Sequence, residues 1–245
     1  RLRMTAALAP TGRDGAMAAT AEAVAEGLAA ADPALARALG DQVRFDLDAT
    51  VDKAGVATVS TLRLAGQAME ARFSGTAGRT ALDGALSVSA PDLSRFSGVS
   101  GLALRGALAG RIALKGDPST PRIDAAPDLT ATRFATGVAP LDGALGGTLS
   151  VGGAATLLPG GGYAFRALSL TGRSLRARLD GEATATAAQV DVAASVDDLA
   201  RLDPRLTGRG ALTGRITGTT RKPDGALRIE LTDATAMGRP VPQLA

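Results

Sequence analysis

Hydrophobic and polar residues alternate with a period of two along most of the chain after Gly40. From Val43 to Val51 the odd positions are apolar, and the even positions are charged or polar. The same alternation recurs at 102–115 and at 227–232. Since successive side chains of a strand point to opposite faces, each run predicts a β-strand with one buried and one solvated face. Gly, Asp and Pro separate the runs, which favours hairpins and a largely antiparallel sheet.

The first forty-one residues show a different pattern, and we predict a short helical segment over 1–41. The stretch 15–31 is rich in Ala, carries Glu22 and Glu26 four residues apart, and predicts a helix. Asp32 and Pro33 suit the first turn of a second helix over 33–39, and Gly40 suits its end. Such helices are expected to cover a strand edge or the mouth of a groove, because uncovered edges promote aggregation.

An internal repeat divides the rest of the chain. The motif Leu-x-Leu-x-Gly at 62–66 recurs 106 residues later at 168–172. Seven residues at 106–112 recur with one change at 210–216, at an offset of 104. An offset that shrinks along the chain indicates small deletions in loops. We therefore expect two multi-stranded repeats that extend one sheet, at 42–147 and 148–245.

The composition argues against an enzyme. The chain has no His, Cys or Trp, which removes the imidazole base, the thiolate nucleophile and the usual zinc ligands. The aspartates within 46–52 lie along one face of a predicted strand and lack the glycine and closing Glu of a calcium loop. Asp197 and Asp198 have no identifiable partner for acid–base work. We expect no catalytic residue, no metal site and no cofactor.

The charge does not indicate a nucleic-acid partner. The net charge is only +3, and the arginines, which make up 24 of the 27 basic residues, are scattered singly along the chain. Aromatic residues, on which bases stack, make up 2% of the chain. We therefore expect no nucleic acid to bind.

The remaining candidate for function is the apolar side of the sheet. Alternation alone fits two arrangements: a two-sheet sandwich with a closed core, or one elongated, curled sheet around an open apolar groove. The repeat implies open-ended extension, and the apolar side is rich in Leu with few aromatics to fill a wide gap. Both features favour the groove.

The groove interpretation assigns the lining to apolar residues of both repeats. In repeat one these are Leu62, Leu64, Met69, Phe73, Leu86, Val88, Leu102, Leu104, Leu108, Ile112 and Leu114. In repeat two they are Leu168, Leu170, Leu175, Leu179, Leu212, Ile216, Leu227, Ile229 and Leu231. Four glycines are expected to leave room for a bound chain or to let the sheet curl: Gly106, Gly110, Gly210 and Gly214.

The order of these motifs resembles a known family. The succession runs from the helix-end sequence at 32–40 through Leu-Arg-Leu-Ala-Gly at 62–66, Asp-Gly-Ala-Leu at 83–86, Pro-Asp-Leu at 91–93 and Gly-Ala-Leu-Ala-Gly-Arg-Ile at 106–112. It is similar to the repeated β segments of the TamB family, the translocation and assembly module, and more broadly of AsmA-like proteins of diderm bacteria.

The resemblance implies a β-taco, a long sheet curled around an apolar groove in the periplasm. It implies a phospholipid conduit between inner and outer membranes, with acyl chains as ligand. It also implies a TamA-type outer-membrane barrel as partner. The chain is then expected to be an internal fragment of a larger protein, anchored in the inner membrane by a segment absent here. A scaffold for outer-membrane protein assembly, with a free strand edge, and a repeat-built adhesin stay open as alternatives.

Overall fold

A computed structural model describes residues 1–11, 15–27, 40–184, 186–219 and 222–241. This part of the chain forms fifteen strands that follow one another in sequence order in one antiparallel sheet. The strands are β1 Leu2–Pro10, β2 Met17–Glu26, β3 Gln42–Val51, β4 Ala57–Ala65, β5 Glu70–Ala77, β6 Leu82–Ala90, β7 Arg105–Asp117, β8 Arg122–Ala135, β9 Thr148–Leu158, β10 Gly162–Thr171, β11 Leu175–Ala183, β12 Ala188–Val196, β13 Leu206–Thr219, β14 Lys222–Ala236 and β15 Arg239–Pro240. The predicted mostly β, largely antiparallel fold is confirmed.

Short helices occur in three connections of the described chain. A 3₁₀ helix at Leu93–Phe96 leads directly into helix α1, Ser97–Ser100, between β6 and β7. Helix α2, Ala139–Leu145, lies between β8 and β9. A second 3₁₀ helix, Leu199–Arg201, lies between β12 and β13.

The helix predicted over 15–31 is wrong. Its central part forms strand β2, which pairs along its length with β1 on one side and β3 on the other. Ala occupies positions of both parities here, so the sequence shows no period-two pattern, and the high helix propensity of Ala suggested a helix. The hydrogen bonds to two neighbouring strands outweigh that propensity, which amounts to a few tenths of a kcal/mol per residue. The second predicted helix, at 33–39, lies outside the described residues.

The chain divides into two compact units. Unit 1 comprises Arg1–Ala125 and unit 2 comprises Ala126–Ala245. The predicted repeats, 42–147 and 148–245, were defined by sequence similarity alone, and as a statement of domain organisation they stay a prediction.

The two units nevertheless contain the same succession of elements. In unit 1, β4, β5 and β6 are followed by a 3₁₀ helix and β7, and in unit 2, β10, β11 and β12 are followed by a 3₁₀ helix and β13. The register shifts once in β4, between Val59 and Leu62, and once in β10, between Phe165 and Leu168. These positions are 106 residues apart, as the sequence repeat requires. The irregular pattern near Phe165 is therefore a bulge within one strand.

Each 3₁₀ helix anchors a leucine against the sheet. Asp92 and Asp198 precede the two helices, and each carboxylate accepts a hydrogen bond of 3.0 Å from the backbone N–H two residues ahead. Leu93 and Leu199 are the buried first residues, with 8% and 7% of their surface exposed. A Cβ on Gly210 would lie 3.2 Å from Leu199 Cδ2, so the glycine makes space for this leucine.

We expect Leu199→Ala to lower the free energy of unfolding by about 2–3 kcal/mol, because it leaves a void between the second 3₁₀ helix and Gly210. The matched control is Leu102→Ala, whose side chain is 40% exposed and should cost less than about 1 kcal/mol. Urea denaturation followed by far-UV circular dichroism measures both. Equal losses for the two variants would contradict this packing.

An apolar sheet face in each unit as the candidate functional site

The strand register collects the apolar side chains of unit 1 on one face of its sheet. Residues directly opposite each other in an antiparallel pair point to the same side. One row of such pairs crosses five strands through Leu47, Leu62, Phe73, Leu86 and Ile112. The neighbouring row consists of Phe45, Leu64, Ala71, Val88 and Gly110. We call this surface apolar face 1.

Unit 2 has an equivalent surface, apolar face 2. One row of opposite residues consists of Leu168, Leu179, Val192, Gly214 and Leu227. The next consists of Val151, Leu170, Ala177, Ala194, Leu212 and Ile229. A third row of opposite residues contains Leu175, Val196, Gly210 and Leu231. No charged residue interrupts these rows.

Most of the predicted lining residues lie on these two faces. In unit 1 the register places there Leu62, Leu64, Phe73, Leu86, Val88, Leu108, Ile112 and Leu114. In unit 2 it places there Leu168, Leu170, Leu175, Leu179, Leu212, Ile216, Leu227, Ile229 and Leu231.

Three predicted lining residues lie outside the strands. Met69 is in the turn between β4 and β5, where its carbonyl accepts a hydrogen bond of 2.9 Å from the Gly66 N–H. Leu102 and Leu104 precede β7, so the strand predicted from 102 begins only at Arg105. The run of leucines continued the alternation into a loop, which is why the sequence pattern placed the start too early.

Several members of the faces were missed by sequence reasoning. Phe45 and Leu47 alternate clearly in the sequence and lie on apolar face 1, although the predicted lining begins only at Leu62. Val59 has the opposite parity from Leu62, and only the bulge in β4 brings both to the same face. An irregular spacing of apolar residues was the available signal for that bulge.

The apolar faces are half-buried and do not form a closed core. A small cluster of Ala49, Val59 and Phe73 is buried in unit 1. Most other face residues keep part of their surface accessible, and Leu227 and Ile229 on β14 are each 60% exposed. All described strands belong to one sheet, so within each unit no second sheet covers the apolar face as a sandwich requires.

Glycines on the faces are covered by the protein's own side chains. The Phe73 ring lies over Gly84, where a Cβ would approach it to 2.6 Å. A Cβ on Gly214 would lie 2.5 Å from Leu227 Cδ2, and the space at Gly210 is taken by Leu199. Gly210 and Gly214 therefore leave no open room for a bound chain, and the alternative expectation, that they let the sheet curl, stays a prediction. Their space allows neighbouring leucines to lie flat on the sheet.

The opposite face of each unit is a network of ion pairs. In unit 1, Arg63 donates to Glu70 at 3.0 Å and lies 3.7 Å from Asp46. In unit 2, Arg215 forms two hydrogen bonds to Asp191, of 2.6 and 3.0 Å. These guanidinium hydrogen bonds hold the pKa of Glu70 and of Asp191 below their ordinary values. The two sides of the sheet therefore differ sharply in polarity.

Several carboxylates on the polar face form ion pairs with arginines. A depression of about 480 Å³ lies beside Arg178, Asp180, Asp191 and Arg215, and both carboxylates there pair with an arginine. Asp198 caps the second 3₁₀ helix, and Asp197 pairs with Arg176. Within the described ranges, no group of three or more His, Cys, Asp or Glu is placed to hold a metal ion.

Comparisons with known proteins give no match for this chain. No family model matches the chain, and it matches neither a curated protein nor a solved structure. The described helices include none of the length and hydrophobicity needed to cross a membrane.

The ion pairs predict how stability depends on pH. Glu70, Asp180 and Asp191 have a lower pKa in the folded chain than in the unfolded one, mainly because arginines donate hydrogen bonds to them. Their contribution to the free energy of unfolding is present above the pKa of the unfolded chain. It is lost as the pH falls through the pKa of the folded chain. We expect a constant thermal midpoint from about pH 6 to 8 and a fall below about pH 4.

The variant Asp191→Asn should make this acid-side fall shallower, because one of the shifted carboxyl groups is removed. The control is Asp41→Asn, since Asp41 forms no ion pair within the described part of the chain. Circular dichroism melts over the pH range measure the slope. Identical slopes for wild type and Asp191→Asn would contradict the role of this pair.

Proposed function

We propose that the chain is a non-enzymatic conduit whose two apolar faces hold the acyl chains of phospholipids. The observation that supports it is an unbroken apolar face in each unit, half-exposed and backed by a charged face. A soluble domain seldom leaves so large an apolar area uncovered unless the area binds something. Flexible acyl chains suit a surface that has no polar group to orient a ligand.

The size of the surface fits this ligand. The row from Leu47 to Ile112 crosses five strands about 4.8 Å apart, which gives an apolar track about 19 Å long. Each methylene that leaves water for such a track contributes about 0.8 kcal/mol. Several methylenes together therefore give useful affinity without any specific polar contact.

From the resemblance to TamB and AsmA-like proteins we further propose the shape of the sheet, the location of the chain and its protein partner. The sheet then curls around its apolar side as a β-taco, an elongated trough for lipids. The chain lies in the periplasm as a segment of an inner-membrane-anchored protein, moves phospholipid between the inner and outer membranes, and meets a TamA-type barrel through the parent protein.

A second candidate is a scaffold that pairs a free strand edge with unfolded outer-membrane proteins. It is favoured by β1, whose nine residues are all exposed and which pairs with β2 alone among the described strands. Exposed backbone donors and acceptors on such a strand can extend the sheet with an added segment. This candidate uses an edge and does not need the apolar faces.

The test of the conduit is native mass spectrometry of the purified chain, with lipid extraction from the same sample. Wild type is expected to carry phospholipid. The double variant Leu108→Asp, Ile112→Asp places two carboxylates on apolar face 1 and should lower the lipid held by that face about tenfold or more, while apolar face 2 keeps its share. The reason is that an acyl chain packed against a carboxylate removes water from the charge, which costs free energy and opposes binding.

The matched control is Ala109→Asp, Ala113→Asp, which places the same charges on the same strand but on the polar face. It should keep the wild-type lipid content. In unit 2 the corresponding pairs are Leu212→Asp, Ile216→Asp and the control Thr213→Asp, Thr217→Asp. Circular dichroism confirms that each variant folds. Wild-type chain without lipid, or equal lipid in the variants of both faces, would overturn the proposal.

A further inference from the structure

The connection between the first 3₁₀ helix and β7 exposes apolar side chains at one end of unit 1. Val99 is 51% exposed and Leu102 is 40% exposed. Leu93, at the base of this connection, is buried and holds it against the sheet. We call residues 97–104 the Val99 loop.

The exposure of the Val99 loop is fixed by its own hydrogen bonds. Gly101 adopts a left-handed conformation with φ of 71°, and its N–H donates to the Ser97 carbonyl at 3.0 Å. The Leu102 N–H donates to Ser100 Oγ at 3.2 Å, and the Leu104 N–H donates to the Leu102 carbonyl at 2.9 Å. A loop closed in this way presents Val99 and Leu102 to solvent in its folded state.

The unpaired charge next to the Val99 loop is positive, because Asp92 and Arg95 at its base pair with each other at 4.0 Å. No Asp or Glu occurs from Leu93 to Gly116, a stretch that contains three arginines and a lysine. Arg105 directly follows the loop and forms no ion pair among the described residues. An apolar tip beside the free guanidinium of Arg105 complements an anionic bilayer, where apolar side chains enter the acyl region and the arginine meets phosphates.

The second copy of the repeat shows that the fold does not require this loop. There the 3₁₀ helix at Leu199–Arg201 leads to β13 through Asp203 and Pro204, with no α-helix and no exposed apolar tip. Asp203 accepts a hydrogen bond of 2.9 Å from the Arg205 N–H, which closes the shorter turn. The extra residues of the Val99 loop are therefore not needed to connect the two strands.

We propose that the Val99 loop is a contact site for the surface of an anionic lipid bilayer. The site goes beyond the conduit proposed above and does not depend on it, because the loop lies outside the strands that form apolar face 1. It gives unit 1 a second kind of lipid contact: shallow, at the interface, and dependent on charge.

The experiment is flotation of the whole chain with vesicles of phosphatidylcholine and phosphatidylglycerol. Wild type is expected to float with these vesicles and to do so less at high salt, because screening weakens the arginine–phosphate attraction. Val99→Asp, Leu102→Asp should reduce the floated fraction about tenfold. The control Thr186→Asp, Ala187→Asp adds the same charges to an exposed hairpin of unit 2 and should float like wild type.

A fluorescence measurement keeps the test independent of flotation. Since the chain has no Trp, Val99→Trp introduces a single reporter. Its emission should shift to the blue with the mixed vesicles and be quenched by brominated lipid, whereas the control Ala187→Trp should show neither change. An unchanged Val99→Trp spectrum, or a loop double variant that floats like wild type, would overturn the proposal.

The variant Leu212→Asp, Ile216→Asp separates this proposal from the conduit. It changes apolar face 2 and leaves the Val99 loop intact, so it should still float with anionic vesicles. If wild type carries no extracted phospholipid but floats normally, the conduit fails and the bilayer contact stands. If wild type carries phospholipid but does not float, the bilayer contact fails alone.

Discussion

The register of the antiparallel strand pairs is the constraint on which the rest of the structure depends. A slip of one residue in any pair would move a whole strand of leucines to the charged side. Two devices hold the register. Bulges in β4 and β10 bring residues of both parities to one face. Gly181, with φ of +128°, lets β12 approach so closely that a Cβ would lie 2.1 Å from the Gln189 carbonyl oxygen.

Within each unit no second sheet packs on the apolar face, so other parts of the chain must bury it. The leucines of the 3₁₀ helices lie against the sheet, and Phe73 and Leu227 lie flat over glycines. These contacts bury only part of the surface, so much of each face stays accessible. The packing that leaves the core small also leaves an accessible apolar surface, the one to which we assign the proposed lipid contact.

The strands at 43–51, 105–115 and 227–232 could be predicted because alternation reports directly which face a residue occupies. The N-terminal strands could not be, because Ala in both parities hides the alternation of β2. Val59 was missed because the bulge in β4 reverses the parity of the apolar positions. The packing of Leu199 over Gly210 could not be predicted, because the two residues meet only in the folded chain. The family, the curl of the sheet and the lipid ligand stay predictions, because they depend on resemblance and on shape, which no pattern of polar and apolar residues fixes.

The most direct test of the account is photo-crosslinking with a phospholipid that carries a diazirine near the end of an acyl chain, followed by peptide mapping. The account predicts adducts on residues of the apolar faces, such as Leu170, Leu212 and Ile229, and none on the opposite-face residues Arg178 and Arg215. Adducts on both faces alike, or none above the level of denatured protein, would contradict the claim that one side of the sheet holds lipid.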